Sequence, residues 1–431
     1  MDSHMHHKPL TALILGLLGA TLVTPALAAT ESATDLLTSF EYACQGLVPP
    51  SSNAVTADPG SALCTQLLTE SDQIDRLNAN DPQANAQARA NFAAAVVPDE
   101  SPALYTSLVQ LSADQIRNVS HHLRNQRGRN TQTMPDTASR DALGTYFGGS
   151  AGDGDTLSRF SVFVDGAQVD GSQDQTVHEV GYDLETDHYT VGLDYRFNNA
   201  LVAGFAYGNS DTTLKYSEAQ NRTDNTTDHY ILYVSWYRDN FAVDTVLAHA
   251  RGEFDTRRNV LGNTATGNTD NSITYFSLSG AYDFVDGGFT YGTFASFDYL
   301  DGDIDAFEET NGGGWEVAFS SQDIKSQIYA MGGHVTYAAS FPWGVLVPYL
   351  RAEWRTELED ERDVIVGRFV QDPASNFALG TDDPDSNWYQ VSTGLSAQFP
   401  HGIAVFVDYQ EVLEYEATDL STVTLGVRWE L

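Results

Sequence analysis

The sequence is short of cations and of cysteine, and no apolar run in it is long enough to be a membrane helix. Lys and Arg number 22 against 59 Asp and Glu, a formal net charge of −37. A surface so poor in cations cannot neutralise nucleic-acid phosphates, so nucleic acid is excluded as a partner. Anionic headgroups would also repel it unless the chain is built into the membrane. The longest apolar stretch, Leu10 to Val23, has 14 residues, short of the ~20 that a spanning helix needs. Its cationic start and the Ala26-Leu27-Ala28 that follows read as a secretory signal peptide covering 1–28. Catalytic signatures are missing too. There is no H-E-x-x-H, and Gly148 to Gly154 sits in a flexible Gly-rich linker and is not followed by the Lys-Ser/Thr of a phosphate loop. The chain is therefore expected not to be an enzyme and to need no cofactor.

Only two cysteines are present, Cys44 and Cys64. In an exported chain a disulfide is the expected state. It would close a loop of about 20 residues, worth roughly 3 kcal/mol on the chain-entropy model. Two buried free thiols are the alternative. No His pair lies near enough in sequence to make a zinc site.

What the chain has in quantity is aromatics and glycine: Tyr 21, Phe 21 and Gly 35. With charged residues at only 19 %, below the usual ~25 %, this composition suits a sheet with one apolar face. The pattern changes near residue 140. Before it, helical spacing recurs at Leu36, Leu37, Phe40, Ala43 and Cys44, and again at Leu63, Leu67 and Leu68. Ser112 to Gln115 forms a capping box that opens a helix over 113–130. On it Ile116, Val119 and Leu123 form a stripe, and Arg117, Asn118, Arg124 and Arg127 lie elsewhere. Arg129 is a fourth arginine, and no acid lies between Gln115 and Asn130, a local reversal of sign in a very acidic chain. A solvated basic face would explain it, and so would a helix seated against an acidic surface of the same chain. His121 and His122 project about 100° apart on a helix, so they are poor candidates to share a metal ion. Residues 131–156 are rich in Gly, Asp, Thr and Ser and read as a linker.

From 157 to 431 the period is two. Tyr189, Val191, Leu193, Tyr195 and Phe197 alternate with polar or small residues, as do Val423, Leu425, Val427, Trp429 and Leu431. Twelve such segments are predicted: 157–168, 186–197, 200–210, 227–237, 241–254, 272–284, 289–301, 323–339, 345–356, 385–399, 403–413 and 419–431. Connections after the even segments are short. Those after the odd ones are mostly long: 169–185, 211–226, 255–271, 302–322 and 357–384. Strands long enough to cross a bilayer when tilted, with short turns at one end and long loops at the other, are the pattern of an outer-membrane barrel. Asp194, Arg196, Arg351, Glu353, Arg355 and Arg428 fall on the polar face, which lipid would not accept and a lumen would. The expected fold is thus an all-β transmembrane barrel of twelve antiparallel strands, closed because lipid offers no partner to a free N–H or C=O.

Several phrases along this stretch are familiar: HYTVGLDYRF (188–197), ALVAGFAYGNSD (200–211), ILYVSWYRDNFAVD (231–244), LVPYLRAEWR (346–355), VSTGLSAQF (391–399) and VTLGVRWEL (423–431). Together they resemble the C-terminal translocator domain of autotransporters, the type V secretion proteins. The helical stretch 83–130 resembles what precedes those barrels. The resemblance implies that 113–130 is a lumen helix, with Arg117, Arg124 and Arg127 facing lumen acids and Asn118 among its polar residues. It implies residence in the outer membrane of a Gram-negative bacterium, among outer-membrane lipid and lipopolysaccharide. It also implies a C-terminal signal for the barrel-assembly machinery, here carried by Trp429 and Leu431 where the family usually ends in Phe or Trp. Residues 29–112 would be a short helical passenger with its pre-barrel helices, translocated and anchored at the surface. Two alternatives stand beside this: a twelve-strand solute channel with a periplasmic N-terminal cap, and an adhesion module acting through acidic loops. Loop 357–384 carries Glu357, Glu359, Asp360, Glu361, Asp363, Asp372, Asp382 and Asp383 against Arg362 and Arg368. A solvated rim explains it, and divalent-cation binding is the functional alternative.

Overall fold

The computed structural model describes residues 31–47, 55–98, 159–217, 220–359, 364–382, 385–415 and 417–431, together with 101, 103, 104, 107, 108, 119, 122 and 123. The signal peptide, Arg117, Asn118, Arg124, Arg127 and the linker 131–156 lie outside the described residues. The described residues between 103 and 123 are helical.

Three helices come first: α1 (Glu31–Cys44), α2 (Ala62–Leu77) and α3 (Pro82–Val96). The Ser61 side chain caps α2 by accepting from the Cys64 backbone N–H, and Asp81 caps α3 with Pro82 following it. The strands then run β1 (Phe160–Gln173), β2 (Tyr182–Asn198), β3 (Leu201–Tyr216), β4 (Arg222–Arg238), β5 (Phe241–Val260), β6 (Asn263–Asp286) and β7 (Phe289–Ile304). Next come β8 (Phe307–Glu308), β9 (Val317–Phe319), β10 (Gln322–Tyr337), β11 (Ala339–Phe341) and β12 (Gly344–Glu357). The last five are β13 (Val364–Phe369), β14 (Phe377–Gly380), β15 (Asn387–Gln398), β16 (Ile403–Leu413) and β17 (Thr418–Glu430).

Twelve of these strands form a closed antiparallel ring in the order β1 to β7, β10, β12, β15, β16, β17. Closure is by β1 against β17, from Ser161 opposite Glu430 to Gln173 opposite Thr418. Strand β11 is a short addition at the turn before β12. The twelve segments expected from the alternation are these twelve strands, and the ring leaves no strand edge open to lipid.

The burial pattern settles which face is which. Leu232, Val234 and Trp236 on β4 are 42–55 % exposed, and Val423, Leu425, Val427 and Trp429 on β17 are 44–59 % exposed. Their polar neighbours Ser235, Thr422, Thr424 and Arg428 are buried on the inner face. A soluble barrel would show the reverse. The apolar residues therefore face outward, against lipid.

Strand ends at the short-turn side fall where the alternation places them. At the other end the structure corrects the sequence reading. The segments 169–185, 211–226 and 255–271, expected as long loops, are largely strand. Paired β5 and β6 carry the ladder out to Val260 opposite Asn263. The hairpin turns on Leu261 (φ +46°) and Gly262 (φ +85°) alone, two left-handed residues of the kind that match strand twist. Thr and Asn mark loops by composition, yet Thr pairs well across strands once a ladder is already formed.

Candidate functional site: the inner wall and the helical cap

Loops at the long-loop end build a second sheet. Strands β8, β9, β13 and β14 pair antiparallel in the order β14-β13-β9-β8. Thr266 of the β6 extension bridges to Thr310 and ties this sheet to the barrel wall. Its apolar side carries Trp315, Phe369 and Phe377, all buried.

The N-terminal helices sit on that apolar side. Phe40 of α1 meets Phe369 and Phe377 edge-on, with centroids 5.2 and 5.7 Å apart. Phe92 of α3 meets Trp315 at 5.9 Å. Leu36, Leu37, Leu63, Leu67, Val96 and these loop residues belong to one continuous core. Thr56 pairs with Asn376 as a β-bridge, and the Asp58 N–H donates to Asp372 at 2.9 Å. The three helices are held to each other through Glu41, which accepts from Ser71 on α2 at 2.5 Å and pairs with Arg89 on α3. Cys44 and Cys64 form a disulfide, Cα–Cα 5.1 Å, joining the end of α1 to the start of α2. Removing it with Cys44→Ser/Cys64→Ser is expected to cost the helical cap roughly 3 kcal/mol. Faster tryptic cleavage at Arg76 with unchanged barrel heat-modifiability is the check.

One cation clasps cap to barrel. Arg258, on the inner face of β5 beyond the membrane, forks onto Glu309 at 2.7 and 3.1 Å. It also donates to the Trp315 carbonyl at 2.8 Å and, at 3.5 Å, to the carbonyl of Ala95 in the last turn of α3. Glu309 in turn accepts from the Val317 N–H at 2.9 Å. Both charges are about 5 % exposed, so removing one leaves the other buried and unpaired, a loss of about 3–5 kcal/mol. Arg258→Ala is expected to release α3 from the loop sheet, seen as a large increase in amide exchange across 82–96, with Arg258→Lys intermediate.

From the cap the chain enters the barrel. Ser101 and Leu104 lie beside Tyr216, Thr223, Arg258 and Phe307, at the loop end. Ala103 packs with Tyr182, Leu184, Leu214 and Leu420, also at that end. Val119 and Leu123 are fully buried, and His122 is 2 % exposed. His122 reaches Asp194 on β2, Phe163 on β1 and Tyr233 on β4, near the short-turn end. Strand β1 then begins at Phe160, at that same end. The described residues between cap and first strand thus lie against both ends of the inner wall, Ser101, Ala103 and Leu104 at the loop end and His122 near the short-turn end.

The charges expected on the polar face lie on the inner face. Asp194, Glu353, Arg355 and Arg428 are buried, and Arg196 and Arg351 are partly so. Arg351 and Arg355 both bind Glu353, at 2.6 and 2.9 Å. Arg355 also binds Asp298 at 3.1 Å, and Asp298 accepts from Ser277 at 2.6 Å. Arg351 stacks over the Phe294 ring. This chain of partners lets charge sit inside a wall. Trp429 and Leu431 are on the outside at the β1–β17 seam, where the Leu431 N–H donates to the Phe160 carbonyl at 2.9 Å. Sequence reasoning weighs His122 only as a poor metal ligand and does not single out Tyr233, Arg258 or Glu309 as site residues. For Arg258 a signal exists: it keeps the even parity of the buried residues Ala248, Ala250 and Phe254 on β5. His122 lies one turn past Val119 and next to Leu123 on the buried stripe. Among the described residues no cluster of three or more His, Cys, Asp or Glu could hold a metal ion, and no helix is long and apolar enough to cross a membrane.

A family model described as the autotransporter β-domain matches residues 162–410. No curated protein matches the chain. Among solved structures, the translocator domain of the autotransporter NalP from Neisseria meningitidis aligns with a TM-score of 0.53 at 14 % identity, over 73 % of this chain and 98 % of that one. The β domain of the Bordetella autotransporter BrkA gives 0.49 at 14 % identity, over 63 % and 100 %. The transport unit of AIDA-I from Escherichia coli gives 0.46 at 11 %, over 72 % and 97 %. The likeness to the NalP domain is one of fold.

Proposed function

Since this chain belongs to the autotransporter β-domain family, we propose that it is an outer-membrane translocator that carries residues 31–98 to the cell surface and keeps them there as a cap docked on its own loops. The observation that carries this reading is the route of the chain. The cap lies at the long-loop end, the described residues of 101–123 pack on the inner wall from Ala103 at that end to His122 near the other, and β1 starts at the short-turn end. In an outer-membrane barrel the short turns face the periplasm and the long loops face outward. The helices are then exported and not periplasmic. The solute-channel alternative needs a periplasmic cap, and the helices pack against the opposite end.

The remaining site residues take their roles in the same reading. Arg117, Arg124 and Arg127, with Asn118, are assigned by it to a lumen segment, where they would balance the acids of the wall. Trp429 and Leu431 are offered to the barrel-assembly machinery, and the acidic rim meets lipopolysaccharide. No catalytic task is proposed for the cap, whose buried positions are taken by packing residues such as Phe40, Leu67 and Phe92.

Impermeant maleimide on intact cells tests the topology, because the native cysteines are paired. Leu77→Cys, on the 76 % exposed end of α2, and Asn311→Cys, on an exposed loop, should label equally. Asn199→Cys, in a short turn, should label only after the outer membrane is opened. Labelling at 199 but not at 77 on intact cells would reverse the assignment.

A further inference from the structure

We propose that His122 is the residue that fixes the lumen segment in its resting position, by seating in a socket built into the barrel wall near the short-turn end. This rests on the proposed route of the chain through the lumen, and it adds a positioning residue for that arrangement.

The socket is made of four side chains on three strands. The His122 Nε2 lies 2.9 Å from the Asp194 Oδ2. Its ring stacks on Phe163, centroid to centroid 3.7 Å at 23°. Ser161 donates to the same Asp194 oxygen at 2.7 Å, and the Tyr233 hydroxyl donates to the other. Asp194 is thereby aimed, with both oxygens engaged, at the place where the imidazole sits. All five residues are at most 8 % exposed.

The wall is hollowed for these rings. A Cβ at Gly192 would lie 2.1 Å from Phe163, and one at Gly204 would lie 2.3 Å from Tyr233. Both rings lie flat against the strands only because those two inner positions are glycine. An ordinary polar lumen residue needs no such preparation. The partners are also sided: Phe163, Asp194 and Tyr233 come from β1, β2 and β4, which neighbour the point where the chain leaves the lumen to start β1. The cap is clasped at the opposite end by Arg258. A segment held at both ends has one axial position, and His122 supplies the end that the cap cannot reach.

The hydrogen bond is charge-assisted through Asp194, and its partner is held in place before binding, so the bond is stronger than a neutral one in a wet lumen. Losing it should shift the segment between seated and unseated states by roughly ten-fold.

Single-channel recording on the full-length protein in planar bilayers reads that shift. His122→Leu keeps bulk but has no donor, and His122→Gln keeps an N–H donor. The expected result is roughly ten-fold more frequent openings for His122→Leu, and near-native quiet for His122→Gln. Asp194→Asn should open the pore as His122→Leu does, and combining the two should add nothing, because both remove one contact. Heat-modifiability on gels reports whether each barrel is folded. If His122→Leu does not fold, Tyr233→Phe loosens Asp194 while keeping the ring, and it should open the pore by a smaller factor. Quiet traces from folded His122→Leu or Tyr233→Phe would overturn the proposal. So would additive effects of His122→Leu and Asp194→Asn, since the two would then act separately. If the thiol labelling above fails while these variants open the pore, the socket stands and the surface cap falls.

Discussion

Deleting residues 31–130 is expected to turn a nearly silent barrel into an open pore, with conductance rising by about an order of magnitude. A ring of twelve strands encloses more space than its own side chains fill. The inner wall left behind is polar: Thr190, Ser235, Gln390, Thr422 and Thr424 are all buried on the inner face of the whole protein, and water would wet them once the segment is gone. The barrel itself should survive, because each of its twelve strands is hydrogen-bonded on both sides by other strands, with the helices contributing none of the ladder. Losing the cap has a second consequence. Trp315, Phe369 and Phe377 are buried beneath the helices, and without them the loop sheet exposes an aromatic patch of the kind that promotes association. The truncated protein should therefore conduct well and, in detergent, tend to self-associate through its loops. If the intact protein conducts as strongly as the truncated one, the lumen is not filled in the membrane.

Much of this fold is legible in the sequence, for an identifiable reason. Period two is a local signal, and on β2 or β17 it runs without a break from one interface to the other, as in Tyr189-Val191-Leu193 or Val423-Leu425-Val427. Lipid on one side and a polar lumen on the other enforce it at every residue. Beyond the bilayer that pressure ends. On the β5–β6 extension both faces carry polar residues, and what keeps Thr256, Asn259 and Thr264 in strand is the ladder begun lower down, a non-local cause. The cap is legible as helices but not as a lid. Phe40 and Phe92 sit on ordinary buried stripes, and nothing near them names partners at 369, 377 and 315. Arg258 and Glu309 are 51 residues apart and come together only when the loop between them folds back. The histidine beside His122 in the sequence invites a metal reading, and adjacent helical positions, about 100° apart, suit it poorly. Its actual partner, Asp194, is visible in the sequence as a charge on the inner face of β2. The type of each residue can be read locally, and the pairing between them is the part that needs the fold.

Leu425→Arg is expected to cost about 2–4 kcal/mol of barrel stability in lipid, seen as a shift to higher temperature-sensitivity on gels and a folding yield reduced by roughly thirty-fold or more. Leu425 is near the middle of β17, opposite Gly166 on β1 and Val407 on β16, and is 59 % exposed on the outer face. At that depth a guanidinium has no water within easy reach and no lumen partner, since the strand points it away from both. Leu425→Phe, which keeps the surface apolar, should be close to neutral. The size of the contrast reports what solvates this face. In a soluble barrel an exposed outer residue tolerates Arg within about 0.5 kcal/mol, so equal stability of the two variants would mean that acyl chains do not cover it. A penalty that fell away for the same substitution at Trp429, near the short-turn rim, would place the depth of the bilayer along β17, because a long cation near an interface can reach the headgroups. Strand β17 also forms the closing seam with β1. A charge at Leu425 therefore acts where the ring must close, and its effect on folding yield should exceed that of Leu232→Arg, at a similarly exposed position on β4 away from the seam.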